Sequence, residues 1–376
     1  MNLVIRNGYV PDAECQQFLE EDIVVSDGKI QMLVPRGTHV DDAQTVDAAG
    51  RFVLPGLIDI HTHGAVGVHF PKDRDFMPAL EYFAHSGVTT VLPTMGMAGE
   101  EATLSFIETA LKHQCKRHGA RVGGIHIEGP FLSEAKRGAM RGQTVPCTLS
   151  NFEVFRQAAR GQLRVMTIAP DRENATEVIA CGNRNGVRMS MGHTNADYEQ
   201  TVAAIKAGAS GATHVFNAMR SLHHRDPGVL GAVLTHPGVT CEVICDMVHL
   251  APPIVQLVIA AKGTDKCIMI SDCGSVAGMG DGDHLFGGKM RYVRNGVARL
   301  EDGTICCSTC NLAQDAKRLV EMGYSLLDIA KMGARNPAQA AGLTDRGQIR
   351  PGMLADLIFT DNEMNISAVM LRGRMI

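Results

Sequence analysis

The 376-residue sequence lacks several features that would place it directly in a class of protein. No apolar run approaches the roughly 20 residues that a transmembrane helix needs, and the first residues lack the basic-then-apolar pattern of a signal peptide. The formal net charge is only −4, without a basic patch or an aromatic platform, which argues against nucleic acid or a membrane as a partner. We therefore expect a cytoplasmic protein.

Two further absences concern cofactors and crosslinks. No Gly-x-Gly-x-x-Gly motif opens a helix, which argues against a dinucleotide-binding fold. The eleven cysteines are an odd number scattered through predicted strands and helices, and this indicates reduced thiols rather than a disulfide framework. Cys307 and Cys310 form one Cys-x-x-Cys, but no second pair stands at the spacing of a structural zinc site.

The two ends of the chain share a strand-and-turn pattern that the middle lacks. Short apolar runs alternate with turn signals such as Asn7-Gly8 and Asp27-Gly28 up to about residue 51, and the pattern returns from about residue 347. We therefore predict one small β-sandwich domain built from residues 1–51 and 347–376.

The middle of the chain, residues 52–346, alternates apolar runs with stretches of helical spacing. Such βα units predict a parallel sheet, and eight of them in one run favour a closed (β/α)8 TIM barrel over an open sheet. This α/β barrel is the predicted catalytic domain. The predicted strands are Phe52–Ile60, Val88–Leu92, Val122–Ile127, Arg164–Ile168, Val187–Met191, Gly211–Val215, Val239–Ile244 and Cys267–Ile270.

Histidines and carboxylates follow these strands at the end where barrel enzymes place their catalytic residues. Because side chains alternate along an extended chain, His61 and His63 point to the same side after the first strand. A single histidine at a strand end is more often solvated than a ligand, but several together predict a divalent-metal site. The others follow the third, fifth, sixth and eighth strands: Glu128, His193, His214 and Asp272.

The ligand types narrow the choice of metal. Neutral imidazoles with carboxylates suit Zn²⁺, our first expectation, and also Fe²⁺ or Mn²⁺. A carboxylate between two groups of histidines can bridge two ions. We therefore expect Glu128 as the bridge, one ion on His61, His63 and Asp272, and the other on His193 and His214.

The motifs around these residues resemble one known family. The segment from Pro55 to His63, PGLIDIHTH, looks like the first metal motif of the amidohydrolase superfamily. HIEGPF around Glu128, GHTNA around His193 and THVFNAM around His214 are similar to the N-acetylglucosamine-6-phosphate deacetylases. The resemblance covers nearly the whole chain, including the sheet domain split between the two ends.

The resemblance implies a metal-dependent hydrolase that deacetylates an N-acetylhexosamine 6-phosphate in amino sugar catabolism, releasing acetate. N-acetyl-D-glucosamine 6-phosphate is the expected substrate, and its galacto epimer, or another acyl or cyclic amide, is the alternative. Asp272 is the expected catalytic acid and base, and the intact ligand set argues against a non-catalytic descendant. Some relatives lack the first histidine pair and use one metal, so one or two ions per subunit are allowed.

The resemblance also implies residues that hold the sugar phosphate. Asn217 and Ala218 are expected to face the phosphate, and His249 to reach the phosphate or the sugar. Arg225 looks like the arginine that relatives insert into a neighbouring subunit's site, and its planar fork suits a phosphate. A homodimer or homotetramer is therefore expected.

Three loops on the substrate side depart from the family's commonest pattern. Met140 stands where many relatives have a histidine or glutamine that orients the acetyl group, and methionine cannot donate a strong hydrogen bond. Gln143 is the substitute if the alignment is shifted. Cys307 and Ser308, expected to contact the substrate, lie in a loop usually made of small residues, and the segment Cys273–Val276 also differs. These departures leave the sugar open.

Overall fold

The computed structural model describes residues 2–116, 118–140, 142, 145–286 and 289–376. Its centre is a parallel barrel whose neighbouring strands pair in chain order. A short further strand, Arg121–Val122, pairs beside the second barrel strand. The eight barrel strands are Leu57–Thr62, Val88–Met95, Ile125–Glu128, Leu163–Ile168, Arg188–Met191, Gly211–Ala212, Thr240–Ile244 and Cys267–Ile270.

The eighth strand returns to the first through backbone hydrogen bonds at one mouth of the barrel. The Asp272 N–H donates to the His61 carbonyl at 3.0 Å, and the His63 N–H donates to the Cys273 carbonyl at 2.8 Å. Closure therefore brings the first and last predicted metal motifs together. The interior between opposite strands is filled by a buried aliphatic cluster that includes Ile60, Leu92, Val165, Ile244 and Ile268.

Helices surround the barrel and cover its outer apolar face. Several begin with capping boxes, in which Asp197 pairs with Gln200 and Asn311 with Gln314 to satisfy exposed N–H groups. The longer helices are Met77–His85, Glu100–Gln114, Leu149–Ala158, Ala175–Arg184, Tyr198–Lys206, Gly228–Thr235, Pro252–Lys262 and Leu312–Glu321. Shorter helices are Leu326–Ala330 and Asn336–Ala340, with 3₁₀ turns at Glu134–Lys136 and Thr264–Lys266 and a π-helix at Lys331–Arg335.

The two chain ends form two four-stranded sheets that share one core. This buried core includes Ile5, Ile23 and Ile30 from one sheet and Phe359 and Met370 from the other. The predicted fold, a barrel with a small β-sandwich, is therefore confirmed, while the domain bounds stay a prediction. In spatial order the sheets are Lys29–Pro35, Glu21–Ser26, Asn2–Arg6 and Ala43–Asp47, and Arg374–Met375, Ile366–Leu371, Leu357–Thr360 and Phe52–Pro55.

Several predicted strands have the wrong extent. Val122–Ile127 is two strands, Arg121–Val122 and Ile125–Glu128, and Val88–Leu92 continues to Met95. The chain predicted as one strand, Phe52–Ile60, is divided at Gly56, because Phe52–Pro55 pairs with the end sheet and the barrel strand starts after it. A side chain at Gly56 would overlap Thr89, so glycine lets the backbone pass here. The sixth strand ends at Ala212 rather than Val215, because the backbone turns left-handed at the following histidine.

An antiparallel sheet that the sequence analysis did not predict lies between the eighth barrel strand and the helix Leu312–Glu321. Its strands are Gly282–Phe286, Lys289–Arg294, Val297–Arg299 and Ile305–Cys307. Two short hairpins, Val10–Pro11 with Phe18–Leu19 and Gly64–Ala65 with Val68–His69, complete the strands. Within the part of the chain that the structure describes, no helix is both long and apolar enough to cross a membrane.

An ion pair joins the barrel to the end sheets and generates a stability prediction. Arg121 Nε donates to Asp356 Oδ2 at 2.6 Å, and Asp356 Oδ1 also accepts the Arg372 N–H at 2.6 Å. The Asp356 side chain is 3% exposed and that of Arg121 is 22% exposed. Asp356→Ala is expected to lower the free energy of unfolding by about 2 kcal/mol, because it leaves two donors without a partner.

Urea denaturation monitored by circular dichroism measures this effect. The matched control is Glu108→Ala, which removes an exposed pair with Lys112 on one helix and is expected to leave the midpoint nearly unchanged. Equal midpoints for the two variants would show that the pair between barrel and end sheet does not stabilise the fold.

Candidate metal centre

Four imidazole nitrogens surround the buried carboxylate of Glu128 at the end of the third barrel strand. Its Oε1 lies 2.9 Å from Nε2 of His193 and 2.9 Å from Nε2 of His214. Its Oε2 lies 3.2 Å from Nε2 of His63 and 3.5 Å from Nε2 of His61. The structure thus brings together five of the residues predicted as ligands.

Asp272, the sixth predicted ligand, belongs to the same cluster. Its Oδ1 lies 3.3 Å from Nε2 of His63 and 3.6 Å from Nε2 of His61. The cluster therefore divides into two groups that share Glu128. We call His61, His63, Glu128 Oε2 and Asp272 the first ligand group, and His193, His214 and Glu128 Oε1 the second.

The spacing of these atoms fits a bound cation better than hydrogen bonding. The Nε2 atoms of His193 and His214 are 3.0 Å apart and equally close to Glu128, and each nitrogen carries at most one proton. His193 Nδ1 lies 2.8 Å from the Lys136 carbonyl, a contact that needs the proton on Nδ1 and leaves a lone pair on Nε2. Ligands about 2.1 Å from one ion lie about 3–3.5 Å apart, as these atoms do.

Buried atoms without hydrogen-bond partners indicate that the first ligand group also fits a bound cation. Among the residues described, His61 Nε2 and Glu128 Oε2 are buried without a hydrogen-bond partner. A buried polar atom in that state is destabilising unless an unseen partner satisfies it. His63 Nδ1 lies 3.2 Å from the Thr94 carbonyl, which again turns the lone pair of Nε2 toward the cluster. The donor set therefore fits a divalent ion in each group.

Charges within the cluster favour a cation. Burial opposes protonation of His63, but the adjacent carboxylates of Asp272 and Glu128 raise its pKa to about 9. Burial also opposes ionisation of Glu128, yet the charge of His61 and the other imidazoles hold the pKa of that carboxyl well below its usual range. Burial likewise opposes ionisation of Asp272, but the charges of His61 and His63 depress its pKa. Both carboxylates are thus ionised, and the pocket attracts positive charge.

The backbone at several of these positions is left-handed. The φ angles are 46° at His193, 29° at His214, 51° at Ala218 and 47° at Asp272. Such angles are unfavourable for any residue with a Cβ, by about 1–2 kcal/mol each. They turn the chain sharply where each strand ends, and so place the side chains in the mouth of the barrel.

Sequence reasoning missed three buried polar residues beneath the ligands. Glu242 Oε2 lies 3.2 Å from Nδ1 of His61. Asp59 accepts a 2.5 Å hydrogen bond from the Ser271 hydroxyl, which links the first and eighth strands, and burial raises its pKa to about 6. His126 contacts a backbone carbonyl and a threonine hydroxyl at 3.0 and 2.9 Å. The available signal was a polar residue inside an otherwise apolar buried strand.

Three residues were predicted to hold the phosphate or the sugar: Asn217, Ala218 and His249. The Asn217 N–H donates to the carbonyl of His214, three residues earlier, at 2.9 Å. The side-chain Nδ2 of Asn217 is buried without a partner among the described residues. The Ala218 carbonyl accepts the Thr194 N–H at 3.1 Å. Burial opposes protonation of His249, but a 2.7 Å hydrogen bond to Asp246 and its charge outweigh burial and raise the pKa of the imidazole.

The remaining predicted substrate residues differ in how close they lie to the ligand groups. The Ser308 N–H donates to the Asp272 carbonyl at 3.1 Å, and buried Cys307 precedes it. A Cβ on Gly96 would lie 3.8 Å from Met140 and 3.9 Å from the His63 ring, so Met140 flanks the first ligand group. Arg225 is exposed and contacts the adjacent His224 ring at 2.6 Å. Gln143 lies outside the described residues.

The shared carboxylate generates a metal-binding prediction. Glu128→Gln is expected to lose metal from both ligand groups, because the amide has neither the charge nor the second oxygen that two groups need. Metal per chain, measured by mass spectrometry after dialysis, should fall close to zero while circular dichroism keeps the native spectrum. Glu153→Gln, a surface change at the Arg156 pair, is the control and should keep the wild-type metal content.

Wild-type metal content in the Glu128→Gln protein would show that the ions bind elsewhere.

Comparison with known proteins agrees with this geometry. Residues 52–376 match the amidohydrolase family. The chain is 33% identical to an N-acetylglucosamine-6-phosphate deacetylase of Bacillus subtilis, an alignment covering 100% of this chain and 94% of that protein. It is 29% identical to an N-acetylgalactosamine-6-phosphate deacetylase of Escherichia coli O157:H7, covering 95% of this chain and 94% of that protein.

A solved structure extends the similarity to the whole fold. It is a variant of the N-acetyl-D-glucosamine-6-phosphate deacetylase of Mycobacterium smegmatis in complex with N-acetyl-D-glucosamine-6-phosphate. The TM-score is 0.88 at 30% identity, and the match covers 100% of this chain and 98% of that one. The chain therefore belongs to the amidohydrolase family and, within it, to the N-acetylglucosamine-6-phosphate deacetylases.

Proposed function

We propose that this enzyme hydrolyses the amide of N-acetyl-D-glucosamine 6-phosphate, giving acetate and glucosamine 6-phosphate in amino sugar catabolism. The observation that carries the proposal is the pair of ligand groups joined by Glu128 beside Asp272, in a chain of this deacetylase family. An amide is a weak electrophile with a poor leaving group. Its hydrolysis therefore needs an activated water, a polarised carbonyl and an acid for the departing amine.

Asp272 is suited to the proton transfers. A divalent ion held by the two ligand groups would supply a Lewis acid for the acetyl carbonyl and would lower the pKa of a water. Burial opposes ionisation of Asp272, but the charges and hydrogen bonds of His61 and His63 outweigh it and depress the pKa. The carboxylate is thus a base at neutral pH. With its side chain 16% exposed at the mouth, it takes the water's proton and delivers it to the amine nitrogen.

The sugar phosphate is assigned to the residues around the second ligand group. The unpartnered amide of Asn217 offers a donor to a phosphate oxygen, with the Ala218 backbone beside it. His249, protonated more readily because of Asp246, offers a positive charge to the phosphate or a donor to the sugar. We place the acetyl side next to Asp272, among Met140, Cys307 and Ser308, and Gln143 stays a substrate-binding candidate on the sequence alone.

Zn²⁺ is the proposed ion, because imidazole nitrogens together with carboxylates suit it, with Fe²⁺ or Mn²⁺ as substitutes. Two ligand groups support two ions per subunit. The eleven unpaired cysteines support a reducing, cytoplasmic location. The shared core of the end sheets supports residues 1–51 and 347–376 as one small domain beside the catalytic domain, 52–346, of which the first four residues, Phe52–Pro55, add a strand to the end sheet.

Acetate release tests the substrate. Zinc-loaded protein is incubated in parallel with N-acetylglucosamine 6-phosphate, N-acetylgalactosamine 6-phosphate and unphosphorylated N-acetylglucosamine. We expect turnover of the gluco ester and at least tenfold lower kcat/KM for the free sugar, because a phosphate contact contributes about 1.5–3 kcal/mol.

The galacto epimer is the second candidate, favoured by the similarity to the Escherichia coli enzyme and by Met140 in place of a hydrogen-bonding side chain. Faster turnover of the galacto ester would reassign the sugar. No acetate from any of the three compounds, with zinc bound, would refute the proposed function and direct the search to other acyl amides.

Arg225 supports a proposed dimer in which each subunit completes its neighbour's site. It is exposed on the loop that holds His224, where a long side chain can reach another copy. Arg225→Ala is expected to raise KM at least tenfold, because a charged phosphate contact is lost. Asp272→Asn is expected to be inactive for lack of the base.

Mixing these two variants tests whether Arg225 of one subunit completes the site of the other. Reassembled mixtures of Arg225→Ala and Asp272→Asn should regain roughly a quarter of the wild-type activity at low substrate, because half of the dimers carry one intact site of two. Activity equal to the mean of the separate proteins would show that Arg225 acts in its own subunit or not at all.

A further inference from the structure

Glu242 is a buried carboxylate that the proposed reaction does not use. It lies in the seventh barrel strand, Thr240–Ile244, and is completely buried. Its Oε2 lies 3.2 Å from Nδ1 of His61, which is also completely buried. Because burying a carboxylate is unfavourable unless it is paired, a strand in the barrel would be more stable with an apolar residue at this position. Stability alone therefore does not explain why a glutamate occupies this position.

We infer that Glu242 is a positioning residue that fixes His61 as a ligand and determines how tightly the first ligand group holds its ion. This inference rests on the proposed metal-dependent function. As an acceptor for the Nδ1 proton, Glu242 selects the tautomer of His61 with its lone pair on Nε2. That lone pair faces Glu128 Oε2 at 3.5 Å and Asp272 Oδ1 at 3.6 Å.

The other ligand imidazoles have weaker partners. His63 and His193 contact the backbone carbonyls of Thr94 and Lys136. Nδ1 of His214 is buried and has no hydrogen-bond partner among the described residues. Of the four ligand histidines described, His61 is thus the one whose Nδ1 contacts a side-chain carboxylate. A carboxylate makes the imidazole a stronger donor to a metal than a neutral carbonyl does, so its loss should affect the first ligand group selectively.

A buried arginine from the fifth barrel strand, Arg188, supplies positive charge near Glu242. Arg188, on the neighbouring side of the barrel, donates to the Thr240 hydroxyl two residues before Glu242. The charge of Glu242 in turn favours the charged form of Arg188 against the effect of burial. The second oxygen, Oε1, is buried without a hydrogen-bond partner in the described part of the chain, so His61 is the group that Glu242 orients.

Zinc retention in Glu242→Gln tests this role without measuring turnover. Glutamine keeps the size of the side chain but removes its charge and one acceptor oxygen. Zinc-loaded wild type and variant are titrated with a chromogenic zinc chelator, and the ions removed per chain are counted. We expect one ion to leave the variant at a chelator concentration 10–100-fold lower than in wild type, and the other to leave as in wild type.

Two matched proteins separate positioning from a general loss of packing. Thr90→Val removes a buried hydroxyl of the second barrel strand, which accepts a hydrogen bond from Arg346 at 3.0 Å. This variant is expected to keep both ions as tightly as wild type. The thermal midpoints of the metal-free proteins should agree between wild type and Glu242→Gln. If the glutamine protein does not fold, Glu242→Asp, whose shorter side chain withdraws the carboxylate from His61, is expected to lose the same ion.

The outcomes distinguish this inference from the proposed function. Wild-type zinc retention in a folded Glu242→Gln protein, or equal weakening of both ions, would overturn the role assigned to Glu242 and leave the deacetylase proposal intact. Wild-type protein that binds zinc tightly but releases no acetate would refute the proposed function instead.

Discussion

The buried negative charge of Glu128 constrains the structure around it. A carboxylate withdrawn from water must be matched by positive charge or by polar partners, and here four imidazole nitrogens within 3.5 Å provide them. Those imidazoles come from the ends of three other strands, so the barrel must close for them to meet. The backbone hydrogen bonds between the segments of His61 and Asp272 make that closure at the same mouth. Fold and site therefore depend on each other.

The ligand set could be predicted because each ligand follows directly on its own apolar strand, and a barrel gathers strand ends at one mouth. Alternation along an extended chain was enough to place His61 and His63 together. Glu242 could not be found in this way, since its partner His61 is 181 residues away in sequence. A lone acidic residue in a buried strand signals that some partner exists, but the residue it contacts depends on the three-dimensional packing.

The errors in the fold have similar causes. Phe52–Pro55 and the strand that follows read as one apolar run, and the change of sheet depends on the contact between Gly56 and Thr89. The sheet from Gly282 to Cys307 is formed by strands with exposed and half-buried positions, so its hydrophobic pattern was weak. Both features concern chain segments whose partners are distant or whose burial is incomplete, where local sequence carries little information.

The end sheets have a consequence for synthesis on the ribosome. Ile5, Ile23 and Ile30 are translated before the barrel, yet the residues that cover them, such as Phe359 and Met370, are translated after it. At about 5–20 residues per second, the apolar face of the first sheet stays uncovered for on the order of tens of seconds. Nascent chains are thus exposed to aggregation at their N-terminal end, and chaperone occupancy there should persist until the last strands are released.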